Sequence, residues 1–207
     1  MNGKITIPSS VETIGSGAFK NCQYITEVDI LGNNLKKIGI GAFKNCVKLL
    51  QINLPESLVE LEIPISKFEI EYYGGCFEGC HRLYSIDIPK NITKLGGLFN
   101  NCSCLSMVKL PENLKELSGS MFTYCTSLNC LTIPKSVKKL SSELFFNNSS
   151  LKELTLLNPN IELCAAYSLD LDTVYIPKET NLITLAKLVS KMKQAFGKDV
   201  KVKQLKD

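Results

Sequence analysis

The sequence predicts an α/β repeat solenoid, a right-handed superhelix with a parallel sheet on its concave face and a C-terminal capping helix. Three observations predict it. A short alternating segment recurs at a nearly constant interval, the same apolar positions return in the same order between those segments, and residues 178–207 carry helical periodicity instead.

The recurring segment reads as a short strand. Each copy has two apolar residues at a spacing of two, which places both on one face, and proline usually follows and closes the strand. Eight copies occur, and six of the seven intervals between them fall within 20 to 24 residues. The last apolar residues of the copies are Ile7, Ile30, Leu54, Ile88, Leu110, Ile133, Leu156 and Ile176.

Between these strands the same apolar positions return in order. A pair at a spacing of three comes first, as in Val11 and Ile14, and a phenylalanine follows with a cysteine three residues later, as in Phe19 and Cys22. The pattern is repeated through Phe122 and Cys125, after which asparagine replaces cysteine at 148. One such unit cannot bury its own apolar stripe, so stacked copies are expected to share a continuous core.

These residues resemble a known family. The pattern Ile-Pro-x-x-Val-x-x-Ile-Gly-x-x-Ala-Phe-x-Asn-Cys runs from Ile7 to Cys22 and recurs with small changes from Leu35 to Cys46, and it resembles the BspA-type leucine-rich repeat. The resemblance covers residues 5–177 and implies a leucine-rich repeat solenoid over residues 1–177. That family is known mainly for bacterial and protist surface proteins that bind host or matrix proteins, with intracellular members in protists, and so it implies binding of a macromolecule.

One repeat is longer than the rest, which predicts an insertion near residues 62–75. Loops with exposed aromatic side chains are frequent contact sites, so Phe68, Tyr72 and Tyr73 are candidate partner-binding residues. The alternation of Ile63, Ile65, Phe68 and Ile70 is the usual pattern of a strand and favours an extra strand that has no binding role.

Residues 178–207 predict a helical cap with a basic tail. Leu182, Leu185, Ala186, Val189 and Phe196 recur at helical spacing, Thr180 or Asn181 can cap the start, and Gly197 can end the helix. This segment holds eight lysines against three acidic residues, a net charge of +5 within a total of +4. Such a charge suits either a solvated helix face or attraction to an anionic partner.

The outward residues of the concave strands are the main candidates for partner binding, because a parallel repeat aligns them in two ladders. Their mixed charge argues against nucleic acid as the partner. The candidates are Glu27, Asp29, Gln51, Asn53, Asp87, Met107, Lys109, Thr132, Thr155 and Tyr175.

Catalytic and metal chemistry find little support in the sequence. The chain has one histidine, His81, which restricts mechanisms that need an imidazole base, and it has no phosphate-binding glycine motif. The spacing of Cys76, Cys80 and His81 is not that of a zinc ribbon or finger, and most of the nine cysteines recur at one repeat position. We therefore expect buried reduced thiols, no enzyme activity, no metal and no cofactor.

The expected role is that of a scaffold that binds a protein of unknown identity. No run approaches the roughly 20 apolar residues of a membrane span, and Met1 to Ser10 lacks the apolar core of a secretory signal, which together favour a cytoplasmic location without membrane insertion. One form of this role is regulation of an intracellular enzyme such as a protein phosphatase, and the alternative is adhesin-like binding at the cell surface. Ile5 lies close to the start of the sequence, so the first repeat is expected to be uncapped and open to self-association.

Overall fold

Each coil of the chain contributes two short strands to two sheets, and the strand pairs run parallel. The computed structural model describes residues 3–64, 74–141, 143–164, 169–196 and 200–206. Over these ranges the predicted solenoid is confirmed, with about seven turns followed by a C-terminal helix.

The first strand of each coil belongs to what we call the concave sheet. Ile5 pairs with Val28 and Val28 with Ile52, so the inward positions inferred from the sequence stack upon one another. The strands are β1 (Lys4–Ile7), β3 (Glu27–Ile30), β5 (Gln51–Ile52), β7 (Ser85–Asp87), β9 (Met107–Lys109), β11 (Cys130–Ile133), β13 (Glu153–Leu156) and β15 (Thr173–Ile176). Hydrogen-bonded pairing groups them as β1–β3–β5, β7–β9 and β11–β13–β15, and the first interruption coincides with the long repeat.

The second strand of each coil belongs to what we call the lateral sheet. Its strands are β2 (Thr13–Ile14), β4 (Lys37–Ile38), β6 (Glu60–Leu61), β8 (Lys94–Gly96), β10 (Glu116–Ser118), β12 (Lys139–Leu140) and β14 (Glu162–Leu163). One outward position of this sheet alternates in charge from β4 to β14. Lys37 lies 3.3 Å from Glu60, Lys94 lies 2.8 Å from Glu116, and Lys139 lies 3.1 Å from Glu162, each distance joining Nζ to Oε1.

The core is a column of stacked side chains that runs the length of the solenoid. Successive phenylalanine rings from Phe19 to Phe145 lie nearly parallel, with centroids 5.2 to 6.0 Å apart. Offset stacking at this spacing adds to the free energy gained by burying the rings. Because each ring rests on the ring of the next coil, the core is continuous although no coil could form it alone.

The C-terminal segment closes the last coil with a helix and one further strand. Helix α1 spans Leu182–Phe196, and the side chain of Asn181 caps it by accepting a hydrogen bond from the amide of Thr184 at 2.9 Å. The residues that follow form β16 (Lys201–Gln204), which pairs with β15 and extends the concave sheet. The basic tail predicted from the sequence therefore contributes a strand, which sequence reasoning did not anticipate.

The buried face of α1 differs from the predicted one. Leu188, Met192, Ala195 and Phe196 face the core, with Leu185 partly buried beside them. Leu182, Ala186 and Val189, which helical spacing placed on one stripe with Leu185 and Phe196, are exposed. The helix carries apolar residues on two sides, and periodicity alone could not tell which side packs against the solenoid.

Candidate functional site

The concave sheet brings the candidate residues together in the predicted ladders. Asp87 pairs in register with Lys109, and Thr132, Thr155 and Tyr175 lie side by side on three successive strands. The side chains of all ten candidates on this sheet are exposed or partly exposed. The other three candidates, Phe68, Tyr72 and Tyr73, lie outside the described residues.

The acidic side chains at the start of the sheet share one lysine within the molecule. The amine of Lys4 lies 3.2 Å from the carboxylate of Glu27 and 3.5 Å from that of Asp29. Its hydrogen bond to Glu27, followed by attraction to Asp29, raises the pKa of Lys4 above its usual value. Both acidic groups would have to leave this lysine before they could pair with a partner.

Asp87 and Lys109 differ from that arrangement and lie where two depressions meet. Neither side chain forms an ion pair with another residue that the structure describes. A depression of about 450 Å³ extends from them across the concave sheet to Tyr175, and another of about 410 Å³ opens where the strands end, beside Leu54 and Asn113. The two charged side chains are therefore available, where the two depressions meet, to a partner that carries charges of both signs.

Tyr175 lies at the far end of the depression that crosses the concave sheet and contacts two neighbouring side chains. Its hydroxyl lies 3.4 Å from the carboxylate of Glu153, to which it donates, and the amine of Lys203 stands 5.9 Å from the centre of its ring. Lys203 belongs to β16. The C-terminal strand thus helps to position a residue of the depression as well as closing the sheet.

The edge at which the concave strands begin carries an apolar strip that sequence reasoning missed, apart from Met107. Its members are Leu50, Tyr84 and Met107, which are 42%, 54% and 52% exposed. Leu50, Tyr84 and Met107 lie on successive coils, because the amide of Tyr84 donates to the carbonyl of Leu50 and that of Met107 to Tyr84. Exposed tyrosine and methionine are enriched in protein interfaces.

The first coil leaves part of the core column uncovered. Ile5, Val11, Phe19 and Cys22 are only partly buried, whereas the equivalent side chains of the second coil are almost fully buried. Partly buried core positions on the first described coil are an apolar surface that another chain can cover.

The recurring cysteines belong to the core. The thiol of Cys46 donates to the carbonyl oxygen of Phe19 at 3.2 Å, and Cys80, Cys102 and Cys125 repeat this contact with the phenylalanine of the preceding coil. Burial raises the pKa of the Cys46 and Cys125 thiols to about 12, so they stay protonated and unreactive near neutral pH. All nine cysteines are unpaired, and Cys104 and Cys130 are the exposed ones.

The chemistry of the remaining polar groups is limited. His81 is exposed, and its Nε2 lies 3.3 Å from the side-chain nitrogen of Asn101. No hydrogen bond or ion pair joins it to an acidic side chain that the structure describes. Among the described residues, no three histidine, cysteine or acidic side chains converge on a point that could hold a metal ion. Over the same residues, α1 is too short to cross a bilayer and no other helix is a candidate.

The chain was compared with protein families and with solved structures. The model of the BspA type leucine rich repeat region matches residues 2–69 and 69–186 with six copies. A leucine rich repeat protein of Treponema pallidum is 26% identical, with a TM-score of 0.65 over 84% of this chain and 73% of its own.

Two further solved structures are less similar. A leucine-rich repeat protein of Bacteroides ovatus is 19% identical, with a TM-score of 0.46 over 98% of this chain and 69% of its own. A leucine rich cell surface protein of Faecalibacterium prausnitzii is 15% identical, with a TM-score of 0.42 over 89% of this chain and 81% of its own. A search of curated proteins gave no significant match.

Proposed function

Because the chain belongs to the BspA-type leucine-rich repeat family, we propose that it is a non-enzymatic scaffold that binds another protein through its concave sheet. The observation that carries the proposal is the meeting of two depressions at Asp87 and Lys109, beside an apolar strip at the edge of the same sheet. A partner segment that lies across the strands would bury apolar side chains against Tyr84 and Met107 and place its own charges against Asp87 and Lys109.

The arrangement has the composition of an interface with a few strong contacts. Truncation of a well-packed interface aromatic side chain costs about 2 kcal/mol or more, whereas a charge at the rim mainly changes the association rate. We therefore assign most of the affinity to the apolar strip and much of the selectivity to Asp87 and Lys109.

The experiment is a pull-down from native lysate with two concave variants and a matched control. Tyr84→Ala/Met107→Ala removes the exposed apolar side chains, and Asp87→Lys/Lys109→Asp reverses both charges while it keeps the net charge. Tyr124→Ala/Phe146→Ala is the control, because these exposed aromatic residues lie in turns outside the concave sheet.

A protein that wild type and the control recover, and that both concave variants lose, supports the proposal. Equal recovery by all forms contradicts it and moves the search to the insertion, with Phe68, Tyr72 and Tyr73 as the next residues to change. Binding of the recovered partner to purified chain then has to show the same order of affinities.

Two more specific roles fit a scaffold of this kind. The first is regulation of an intracellular enzyme such as a protein phosphatase, and the second is adhesin-like binding at the cell surface, as in known surface members of the family. Cell fractionation with labelling of surface proteins separates them. Recovery of the chain in the cytosol in complex with an enzyme favours the first, and labelling on intact cells favours the second.

Self-association through the first coil is a further part of the proposal. The partly buried Ile5, Val11 and Phe19 are the supporting observation. Light scattering at increasing concentration should show mass growing above that of a monomer, and Ala18→Glu, which places a charge beside this surface, should restore the monomer. A monomer at every concentration contradicts this part and leaves concave binding untouched.

A further inference from the structure

Helix α1 exposes apolar side chains on its outer face. Leu182 and Ile183 are 80% and 70% exposed, and Ala186 and Val189 are exposed beside them. At 100° per residue these four positions fall within about 120° of the helix surface, next to the side that packs against the solenoid. Burial in the core therefore does not account for them.

The same end of the molecule carries the excess of positive charge. Along the solenoid, lysines are paired with carboxylates of the next coil, as in Lys37 with Glu60, Lys94 with Glu116 and Lys139 with Glu162. Residues 178–207 instead have a net charge of +5 within a total of +4. Lys187 and Lys191 are exposed on α1, next to the apolar outer face.

We infer that this end of the solenoid binds reversibly to an anionic lipid surface. The side chains of Leu182, Ile183, Ala186 and Val189 enter the boundary between headgroups and acyl chains, and Lys187 and Lys191 contact the headgroups. An apolar stripe with flanking lysines is typical of a helix that lies in the plane of the membrane interface without crossing the bilayer.

Two features favour lipid over a protein partner at this end. The outer face is a convex helix surface with four apolar residues, whereas a stable protein interface uses about 20–30 residues on each side and a shaped contact. The neighbouring edge strand β16 exposes Lys201 and Lys203, and lysines on an edge strand discourage the addition of a strand from another chain. A planar anionic surface requires neither a groove nor a free strand edge.

The test is co-sedimentation of the full chain with two kinds of vesicle. One is phosphatidylcholine with about 30% phosphatidylserine, and the other is phosphatidylcholine alone. We expect binding to the first at low salt, loss of that binding at about 0.5 M salt because charge is screened, and little binding to the second. An acidic polypeptide, polyglutamate, serves as a competitor of the other chemical class.

Two pairs of variants separate the contributions. Lys187→Glu/Lys191→Glu should weaken partitioning by about 30-fold or more, whereas Lys135→Glu/Lys138→Glu makes the same change of charge on the solenoid and should have a much smaller effect. Leu182→Glu/Ile183→Glu should weaken partitioning by at least about tenfold, whereas Val59→Glu/Phe146→Glu should not. All eight positions are exposed, and circular dichroism checks that each variant is folded.

Several results would overturn the inference. These are the absence of wild-type binding to the anionic vesicles, equal binding to both kinds of vesicle, and an equal effect of the variants and their controls. Tight binding of polyglutamate without binding to vesicles would assign the surface to an acidic protein instead. None of these results bears on the concave sheet, whose variants leave α1 intact.

Discussion

Asn148 offers a sharp test of how the core column is built, because it stands where five earlier repeats have cysteine. Asn148 is 2% exposed, and both its amide nitrogen and its side-chain oxygen are buried without a hydrogen-bond partner among the described residues. Cys125, one coil earlier, instead donates its thiol to the carbonyl of Phe99. Asn148→Cys should give the new thiol the same contact with the carbonyl of Phe122.

The expected gain follows from the groups removed. An unsatisfied buried polar group costs about 1–3 kcal/mol, and a buried thiol behaves as a small apolar side chain, so Asn148→Cys should raise the free energy of unfolding by about 1–3 kcal/mol. For a chain of 207 residues each 1 kcal/mol raises Tm by about 2–4 °C. Urea denaturation followed by circular dichroism, together with calorimetry, measures both quantities.

The reverse exchange is the control. Cys125→Asn moves the same amide into the neighbouring coil and should lower the free energy of unfolding by about 1–3 kcal/mol. If Asn148→Cys proves destabilising, or if Cys125→Asn is neutral, then the amide of Asn148 has a partner that offsets its burial and our reasoning about this position is wrong.

Three other substitutions test separate features. Phe77→Leu removes two ring contacts and should lower the free energy of unfolding by about 2–4 kcal/mol. Phe19→Leu in the first coil removes one ring contact and should lower it by about 1 kcal/mol. Equal losses for the two variants in urea denaturation would contradict the stacked column. Glu62→Gln should cost about 1–2 kcal/mol near neutral pH. Burial raises the pKa of Glu62, but hydrogen bonds from the amine of Lys37 and the amide of Ile40 outweigh that effect, so the pKa in the folded chain lies below the value of 4.5 in the unfolded chain. The contribution of Glu62 to the free energy of unfolding is therefore complete above pH 4.5 and is lost as the pH falls through the pKa of the folded chain. A difference between Glu62→Gln and wild type that persists at low pH would argue against this. Tyr124→Asn should stabilise by about 0.5–1 kcal/mol, because Tyr124 has a φ of 58° where equivalent turns hold asparagine or glycine, and thermal unfolding that shows a loss would refute it.

The repeat made most of the fold predictable. Ile5, Val28 and Ile52 were inferred to be inward and stacked from spacing alone, and the structure confirms their register, because a parallel stack repeats whatever one coil does. The roles of the phenylalanines and cysteines followed for the same reason. The strand in the C-terminal segment was not predicted because this segment does not repeat. Nothing in the other coils indicated that Lys201 to Gln204 would form a strand.

The candidate site was predictable in part. Alternation identified Asp87 and Lys109 as outward residues, but it could not show that Lys4 neutralises Glu27 while Asp87 and Lys109 have no such partner among the described residues. Nor could it identify Tyr84 and Leu50, which lie in the turn just before the strand, where a period of two does not apply. Whether any of these residues binds a partner remains a prediction.

The alternating charges of the lateral sheet have a consequence for how such a chain can grow or shrink by copying of its repeats. Duplication or loss of two consecutive coils keeps the alternation of lysine and glutamate, whereas duplication or loss of one coil places two like charges on consecutive coils, as Lys37 and Lys94 would be if the coil of Glu60 were removed. Each exposed ion pair adds little to the free energy of unfolding, but like charges placed opposite each other on adjacent strands lower it. Viable length variants of this solenoid should therefore differ mostly by even numbers of coils.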